Sequence, residues 1–476
     1  MKNLNYLFEF RCREKLLTSG ITFWYWMIAG LAVFSLISCN NENVEKVVYD
    51  PNRPIELTSF HPDSGRIREM VLLDGENFGS DISNIKVFFN KTEAKVIGST
   101  GTRILVLTPR MPGDTCTLSL KIGTQEKTYE KKFRYKVEAS VTTLAGTGRN
   151  AHVFDQGLDK CELRPVYIGA DKEYNIFVTD DQDYLLRINT ITNTLSVIAT
   201  RDQGFNHRCQ PYANPLTNVL QQGAEKAGNR DRFMFFDPRD GWAPKWKFIK
   251  SWDLNGCQLP SGGPNNNLNY ETHYQCLLCE ADGMYYTRYT GGQIVRINPE
   301  TWEAKIIGMT PIGVTYGAAF HPTRKSELWL GYDRADSPTG PEPANSLYTL
   351  DVTDETKGEE NMLLSLKKMS GPVPPMGAHR DGPLSQSQFN SIRMINFDAG
   401  GNLFVGDARN HCIRMVNTNT MMVSTIIGIP GVNSPFMDGV KEEATFNTPH
   451  GIVTDPDGVI YVTDYNNFRV RRIAIE

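Results

Sequence analysis

No block of Lys or Arg interrupts this 476-residue chain, and its formal net charge is −4. It therefore lacks the basic footprint that a nucleic-acid partner requires. No long apolar pattern of helical period stands out, so an all-helical fold has no support. Histidine and cysteine are scarce, at eight and nine residues. There is one Cys-x-x-Cys, Cys276-Leu-Leu-Cys279, and no second pair to complete a zinc site. It lies in YQCLLCEADGMYY, which reads as a buried strand approaching a turn. No Gly-x-Ser-x-Gly, His-Glu-x-x-His or phosphate loop occurs in a supporting context, so hydrolase, zinc-protease and nucleotide chemistries have no motif to stand on.

What the chain does have is turn-forming residues, 40 Gly and 26 Pro, and with them the prospect of many short strands. Near the N-terminus, residues 21–38 form an apolar run without charge, preceded by Lys2, Arg11, Arg13 and Lys15. That is the layout of a secretory signal. The run ends in Leu36-Ile37-Ser38-Cys39, after which the chain turns polar. This resembles the lipobox of bacterial lipoproteins, which implies that Cys39 becomes a lipidated first residue and anchors the chain to a membrane. A stop-transfer anchor is the alternative, because about 18 apolar residues can just span a bilayer. The expected organisation begins with a signal peptide over 1–38 and a polar leader over 39–53. Cysteines 161, 209 and 257 leave a disulfide open without assigning a pair.

From residue 54, alternating stretches such as 86–89 and 103–107 are separated by Gly, Asn, Asp and Pro. About seven short strands over residues 54–138 point to an immunoglobulin-like sandwich. Phe60-x-Pro62-x-Ser64-Gly65, Leu73-x-Gly75-x-Asn77-Phe78-Gly79, Val87-x-Phe89 and Phe133-x-Tyr135 together resemble the IPT/TIG family. The resemblance implies a spacing or interaction module, with Phe78 plugging its core.

Residues 139–476 are repetitive. Segments starting at Ile176, Met284, Leu403 and Ile460 share an apolar strand, a polar turn, a second strand and an Asn/Thr/Pro turn. A weaker copy starts at Leu328, and a degenerate one at Phe233 runs through DPRDGW to KFIKSWDLNG. The last copy reads Asp438-Gly439, Phe446-Asn447-x-Pro449-His450-Gly451, Asp455, Asp464, Asn467, Arg471. The copy before it has Asp381-Gly382, Phe389-Asn390, Asp398, Asp407, Asn410 and Arg414 at the same places. These repeats resemble the NHL family, and six copies imply a six-bladed β-propeller. Each copy has more residues than the ~40–50 of a four-stranded blade, so the surplus goes into loops. Residues 141–146, VTTLAG, match 423–428, VSTIIG, the outer strand of a repeat that the final copy lacks. The expected fold is thus all-β: an N-terminal immunoglobulin-like (IPT/TIG) sandwich, then a six-bladed NHL-type propeller closed by residues 141–145.

Asp180, Asp407 and Asp464 share one repeat position, where an Asp side chain caps a turn within its own blade. The NHL resemblance also brings in lyases that hold zinc with three channel histidines. Here His450 opens an inner strand, His273 precedes one and His321 follows one, while Val166, Tyr316 and Ser391 stand at the matching position in other repeats. Two histidines fall short of a zinc set, so neither metal nor cofactor is expected. Aromatic residues give the ligand candidates. Trp242, Trp246 and Trp252 cluster in the degenerate repeat, followed by Tyr270, Tyr274, Tyr285, Tyr286 and Tyr289. Rings of this kind stack on sugar C–H faces, and Asp240 and the amides at 265–267 could bond hydroxyls. Alternatively, the tryptophans pack between blades. The ligand-binding set expected from sequence is Trp242, Trp246, Trp252, Tyr274, Tyr316 and His450. Lipobox, IPT/TIG and NHL propeller together resemble accessory lipoproteins of polysaccharide uptake. The implied role is a non-enzymatic, surface-exposed protein of the outer membrane that captures glycan for a transporter complex. A protein-interaction scaffold and a propeller lyase or hydrolase are the alternatives.

Overall fold

Alternating apolar and polar residues, broken every few positions by turn formers, produce short strands because a half-buried strand must keep one apolar face. The computed structural model describes residues 46–110, 115–223, 231–255, 273–333, 343–372 and 377–475. The export segment with Cys39 lies outside the described residues, as do Cys257, Tyr270 and residues 264–267. No helix among the described residues is long and apolar enough to cross a membrane.

The first unit is a sandwich. One sheet holds Glu56–His61, Met70–Gly79 and Gly101–Leu107, and the other holds Ile85–Phe89, Thr115–Ile122, Gln125–Tyr135 and the short Ser64–Gly65. Thr92–Ser99 pairs with Gly101–Leu107 at one end and with Ile85–Phe89 at the other, so it crosses between the sheets. Inward residues Val71, Leu73, Phe78, Val87, Phe89, Leu118 and Phe133 are fully buried. Phe78 therefore plugs the core, and Gly79 follows it at φ +71°, a conformation strained for any other common residue. Arg110 reaches out of this unit to the second. Its guanidinium donates to the Asp457 carbonyl at 2.6 Å and to the Gly458 carbonyl.

The second unit is a six-bladed propeller. From the channel outward, blade 1 is Pro165–Ala170, Asn175–Asp180, Tyr184–Asn189 and Thr194–Ala199. Blade 2 is Tyr212–Ala213, Leu220–Gln222, Arg232–Phe236 and Pro244–Phe248. Blade 3 is Leu277–Leu278, Tyr285–Arg288, Gln293–Ile297 and Glu303–Met309, with Ser251–Asp253 parallel on its outer edge. Blade 4 is Gly317–Phe320, Glu327–Gly331, Leu347–Asp351 and Lys367–Lys368. Blade 5 is Ile392–Phe397, Asn402–Asp407, Cys412–Asn417 and Met422–Ile427, edged by Gly382–Pro383. Blade 6 is Pro449–Thr454, Ile460–Asp464 and Arg469–Ile475, and its fourth strand is Ala139–Ala145.

The ring therefore closes as the repeat pattern requires. Ala139 lies opposite Ile475 and Val141 opposite Ile473, which removes two exposed edges at once. The degenerate repeat differs from its sequence alignment. Arg232–Phe236 is the third strand of blade 2, not the second. The segment at Ser251–Asp253 belongs to blade 3. The inner strands of blade 2 are two and three residues long, too short to carry a recognisable period.

Repeated polar residues bind each blade internally. In blade 6 the fully buried Arg471 lies 2.7 Å from Asp464, donates to Asp438, and caps the carbonyls of Thr445 and Met437. Phe446 lies beneath the guanidinium, 5.0 Å from its ring centroid. Blade 5 repeats the arrangement with Arg414, Asp407, Asp381 and Phe389. These contacts account for the Asp-Gly, Phe-Asn, Asp and Arg positions of the repeat. Asp464 also accepts from the Asn447 N–H and from Asn467, as Asp407 does from Asn390 and Asn410. In blade 1 the residue in register with the arginine is Leu186, and His152 Nδ1 lies 2.7 Å from Asp180 instead. Blade 3 carries Arg288 at the Asp position, where it donates to Thr310 Oγ1 and the carbonyls of Pro311 and Gly313.

The described cysteines, Cys116, Cys161, Cys209, Cys276, Cys279 and Cys412, are all buried free thiols. Burial pushes Cys279 up to about 11 and Cys276 higher still, so neither is poised as a thiolate.

Candidate functional site at the channel mouth

Inner strands run the same way through the channel, so their first residues gather at one end and their last residues at the other. The last residues, with Asp171, Asp398 and Asp455, surround a cavity of about 370 Å³. Its polar groups are spent on local turns. Asp171 accepts from the N–H groups of Glu173 and Asn175, Asp398 from Asn402, and Asp455 from Val459. His321 is bonded at both nitrogens, with Nε2 on Thr418 Oγ1 and Nδ1 accepting from the Thr323 and Arg324 N–H groups.

The opposite mouth is larger, about 680 Å³, a size typical of small-molecule sites (~300–1,000 Å³). Blade 1 supplies Val166 and Tyr167, the approach to blade 2 supplies His207 and Arg208, and the start of blade 4 supplies Tyr316. Blade 5 adds Asn390, Ser391, Arg393, Arg409 and His411, and blade 6 adds Thr448, His450, Tyr465 and Asn466. Two local devices put them there. Inner strands start at the mouth, which places Tyr316, Ser391 and His450. The turn after the repeated Asp also projects into it, carrying Arg409 after Asp407 and Tyr465 after Asp464.

The aromatic wall is preassembled. His450 stacks on Tyr465 at 4.2 Å and 11°, and the Arg164 guanidinium covers the other face of Tyr465 at 4.3 Å. Both faces of that ring are occupied, so Tyr465 presents an edge rather than a platform. Tyr316 packs against Tyr274 at 4.8 Å and Tyr167 at 5.7 Å, and carries the Arg393 guanidinium at 4.8 Å. Arg393 is held from behind by Asp333 at 3.4 Å, whose carboxylate accepts from Ser391 Oγ at 2.5 Å. Gly451, next to His450, fits because a side chain there would lie 2.9 Å from the Ile168 backbone nitrogen.

Burial, then the positive charges of Arg393 and Arg164, hold His450 well below the usual imidazole range, so it is neutral at pH 7. Its Nδ1 is buried without a hydrogen-bond partner. His411, lowered by burial and by Arg409, accepts the Thr448 N–H at Nδ1 and keeps Nε2 for the mouth. His207 is bonded through Nδ1 to Asp183 at 2.6 Å. Although three histidines share this mouth, their ring nitrogens do not converge. Among the described residues, the metal-ligand types that come together are His152, Asp180 and Asp181, in blade 1. The arrangement can fix and hydrogen-bond a polar ligand, and the Ser391 hydroxyl is already committed to the Asp333 carboxylate.

The residues expected from sequence divide. Tyr316 and His450 line the mouth, and Tyr274 supports Tyr316 from beneath. The tryptophans stand away from the mouth. Trp242 is buried between blades 1 and 2 against Phe177 at 4.9 Å, with Arg187 over it. Trp246 lies half-buried on the outer strand of blade 2 beneath Arg232, and Trp252 packs edge-on to Tyr289 in blade 3. The sequence pattern alone does not mark Arg393, Arg409, His411 or Tyr465 as mouth residues. Their signal was positional: each follows a residue that the repeat alignment already marks.

Comparison with known proteins agrees with this architecture. Residues 54–135 match the IPT/TIG domain family and residues 446–473 the NHL repeat family. No curated protein matches the chain. A crystal structure of a protein of unknown function from Bacteroides thetaiotaomicron superposes with a TM-score of 0.65 at 20% identity, covering 90% of this chain and 100% of that one. An auxiliary nutrient binding protein from Bacteroides ovatus gives 0.54 at 18% identity, over 90% and 100%. A putative phosphatase from Bacteroides thetaiotaomicron gives 0.55 at 16% identity, over 90% and 99%. At these identities what is shared is the fold. The chain therefore carries an IPT/TIG domain followed by a six-bladed propeller with an NHL repeat in its last blade.

Proposed function

We propose that this protein is a surface-exposed accessory lipoprotein of the outer membrane that captures a glycan for a neighbouring transporter. In this reading lipidated Cys39 is the anchor, the IPT/TIG sandwich is the spacer, and the mouth between Tyr316, Arg393, His450 and Tyr465 is the binding site. The observation that carries the reading is the state of that mouth. It is a preassembled polar cavity of about 680 Å³ with buried hydrogen-bonding atoms still unmatched, His450 Nδ1 and Arg393 Nε among them. Buried polar atoms left unmatched are costly, and the hydroxyls of a sugar would satisfy them. The fold shared with an auxiliary nutrient binding protein supports the same direction, by analogy of architecture.

Calorimetry of the full chain against a broad panel of oligosaccharides tests this. Binding is expected, and Tyr316→Ala should abolish it while the protein stays folded. A folded protein that binds no glycan on the panel would overturn the reading. The anchor has its own test: palmitate labelling of the expressed chain should be lost in Cys39→Ala.

A further inference from the structure

We infer that the ligand of the mouth carries an anionic oxygen group, a carboxylate or a sulfate ester. This rests on the reading of the mouth as a glycan site and narrows the class of glycan. The chain as a whole carries more Asp and Glu than Lys and Arg, 54 against 50. The mouth reverses that balance. None of its lining residues is Asp or Glu, and three are arginines, whereas the opposite mouth sets four carboxylates, Asp171, Glu280, Asp398 and Asp455, against two lysines, Lys172 and Lys325.

The arginines are placed at two depths. Arg393 forms part of the floor, fixed over Tyr316 and tied on one side to Asp333, with its Nε unpartnered. Arg409 stands exposed at the rim, and among the described residues its side chain makes neither an ion pair nor a hydrogen bond. A planar guanidinium presents parallel N–H groups that match the oxygens of a carboxylate or sulfate. The imidazole of His411, whose Nδ1 accepts the Thr448 N–H, turns Nε2 to the mouth as a donor, and the unpartnered Nδ1 of His450 can serve as another in the tautomer that protonates it. Stacking on Tyr465 is not available to a ligand, because His450 and the Arg164 guanidinium already lie over its ring. Recognition there must run through hydrogen bonds and charge. A neutral sugar can offer Arg409 a hydroxyl acceptor but no counter-charge, whereas an acidic one supplies both.

The test is calorimetry on the full chain with matched pairs of probes. Oligogalacturonides, oligoalginates and chondroitin sulfate and carrageenan oligosaccharides are each set beside a carboxyl-reduced or desulfated counterpart. At least one acidic probe is expected to bind at least about tenfold more tightly than its neutralised partner, with affinity falling as salt rises. Arg409→Ala, at an exposed position that leaves folding intact, should remove most of that preference, and Arg409→Lys should retain part of it. Preference for a uronate or for a sulfate ester identifies which anion is read. Neutralised counterparts bound as tightly as the acids would overturn the inference and leave the glycan reading standing. A folded protein that binds neither member of any pair would overturn both.

Discussion

The backbone N–H of Thr143 donates to Asp438 Oδ2 at 2.9 Å across 295 residues of chain. The other oxygen of the same carboxylate receives Arg471. Asp438 thus ties the strand that closes the ring to the clamp inside blade 6. In blade 5, where no closure is needed, Asp381 makes the same two contacts to Thr425 and Arg414. Asp438→Ala should leave both donors short of a partner and cost about 1–3 kcal/mol. Asp438→Asn keeps a carbonyl oxygen for Thr143 and should cost less. Chemical denaturation of both variants checks the order. Equal losses would mean that the closing bond contributes nothing.

A second prediction concerns the clamp itself. Asp464→Ala leaves the fully buried Arg471 with only part of its counter-charge, and the expected loss is about 3–5 kcal/mol. Replacing both Asp464 and Arg471 with Leu should recover much of it, because apolar pairs often substitute for buried ion pairs at little cost. Blade 1 already tolerates Leu186 at the arginine's register. A double-mutant cycle on the melting temperature measures the coupling, and additive losses would contradict it.

Trp242→Ala separates packing from binding. The ring fills the seam between blades 1 and 2, so its removal should destabilise by about 3–5 kcal/mol. Ligand affinity of the remaining folded protein should stay within about twofold, because Trp242 does not line the mouth. Loss of affinity without loss of stability would return the tryptophan cluster to the binding site.

His321 predicts a pH effect. Burial, and then the charge of Arg324, lower its pKa to about 4 from an ordinary 6.5. The native state thus resists a proton that the unfolded chain accepts. The contribution is fully present above pH 6.5 and is lost as pH falls towards about 4. In His321→Asn an amide oxygen can replace Nδ1 as acceptor for the Thr323 and Arg324 N–H groups, and nothing titrates. Compared with this variant, the wild-type protein should lose stability progressively between pH 6.5 and 4 in urea titrations. Parallel pH profiles would refute the assignment.

Much of this structure was legible because the repeat writes its structural residues into the sequence. Asp464, Arg471, Phe446 and Asp438 recur at fixed spacing because one blade needs them together, and the missing outer strand at the end pointed to residues 141–145. Blade 2 was misaligned because Leu220–Gln222 is too short for periodicity to register. The mouth was legible only in part. His450 and Tyr316 could be placed because they open inner strands. Arg393 and Arg409 could not be singled out, because an arginine in a sequence does not reveal whether it stands in a clamp, as Arg414 does, or faces a cavity. Aromatic clustering pointed to Trp242, Trp246 and Trp252, but closeness in sequence does not say which surface a ring meets: Trp242 and Trp246 pack on one apolar cluster at blade 2, and Trp252 packs on blade 3.

Closure by Ala139–Ala145 also sets an order in time. The first strand of the ring emerges early in synthesis, and its partner Arg469–Ile475 emerges only after every other blade. Until then blade 6 is incomplete, and the wall that positions His450 and Tyr465 has no fixed place. The pairing of residues 139–145 with residues 469–475 is thus the step that both closes the ring and gives the mouth its finished wall.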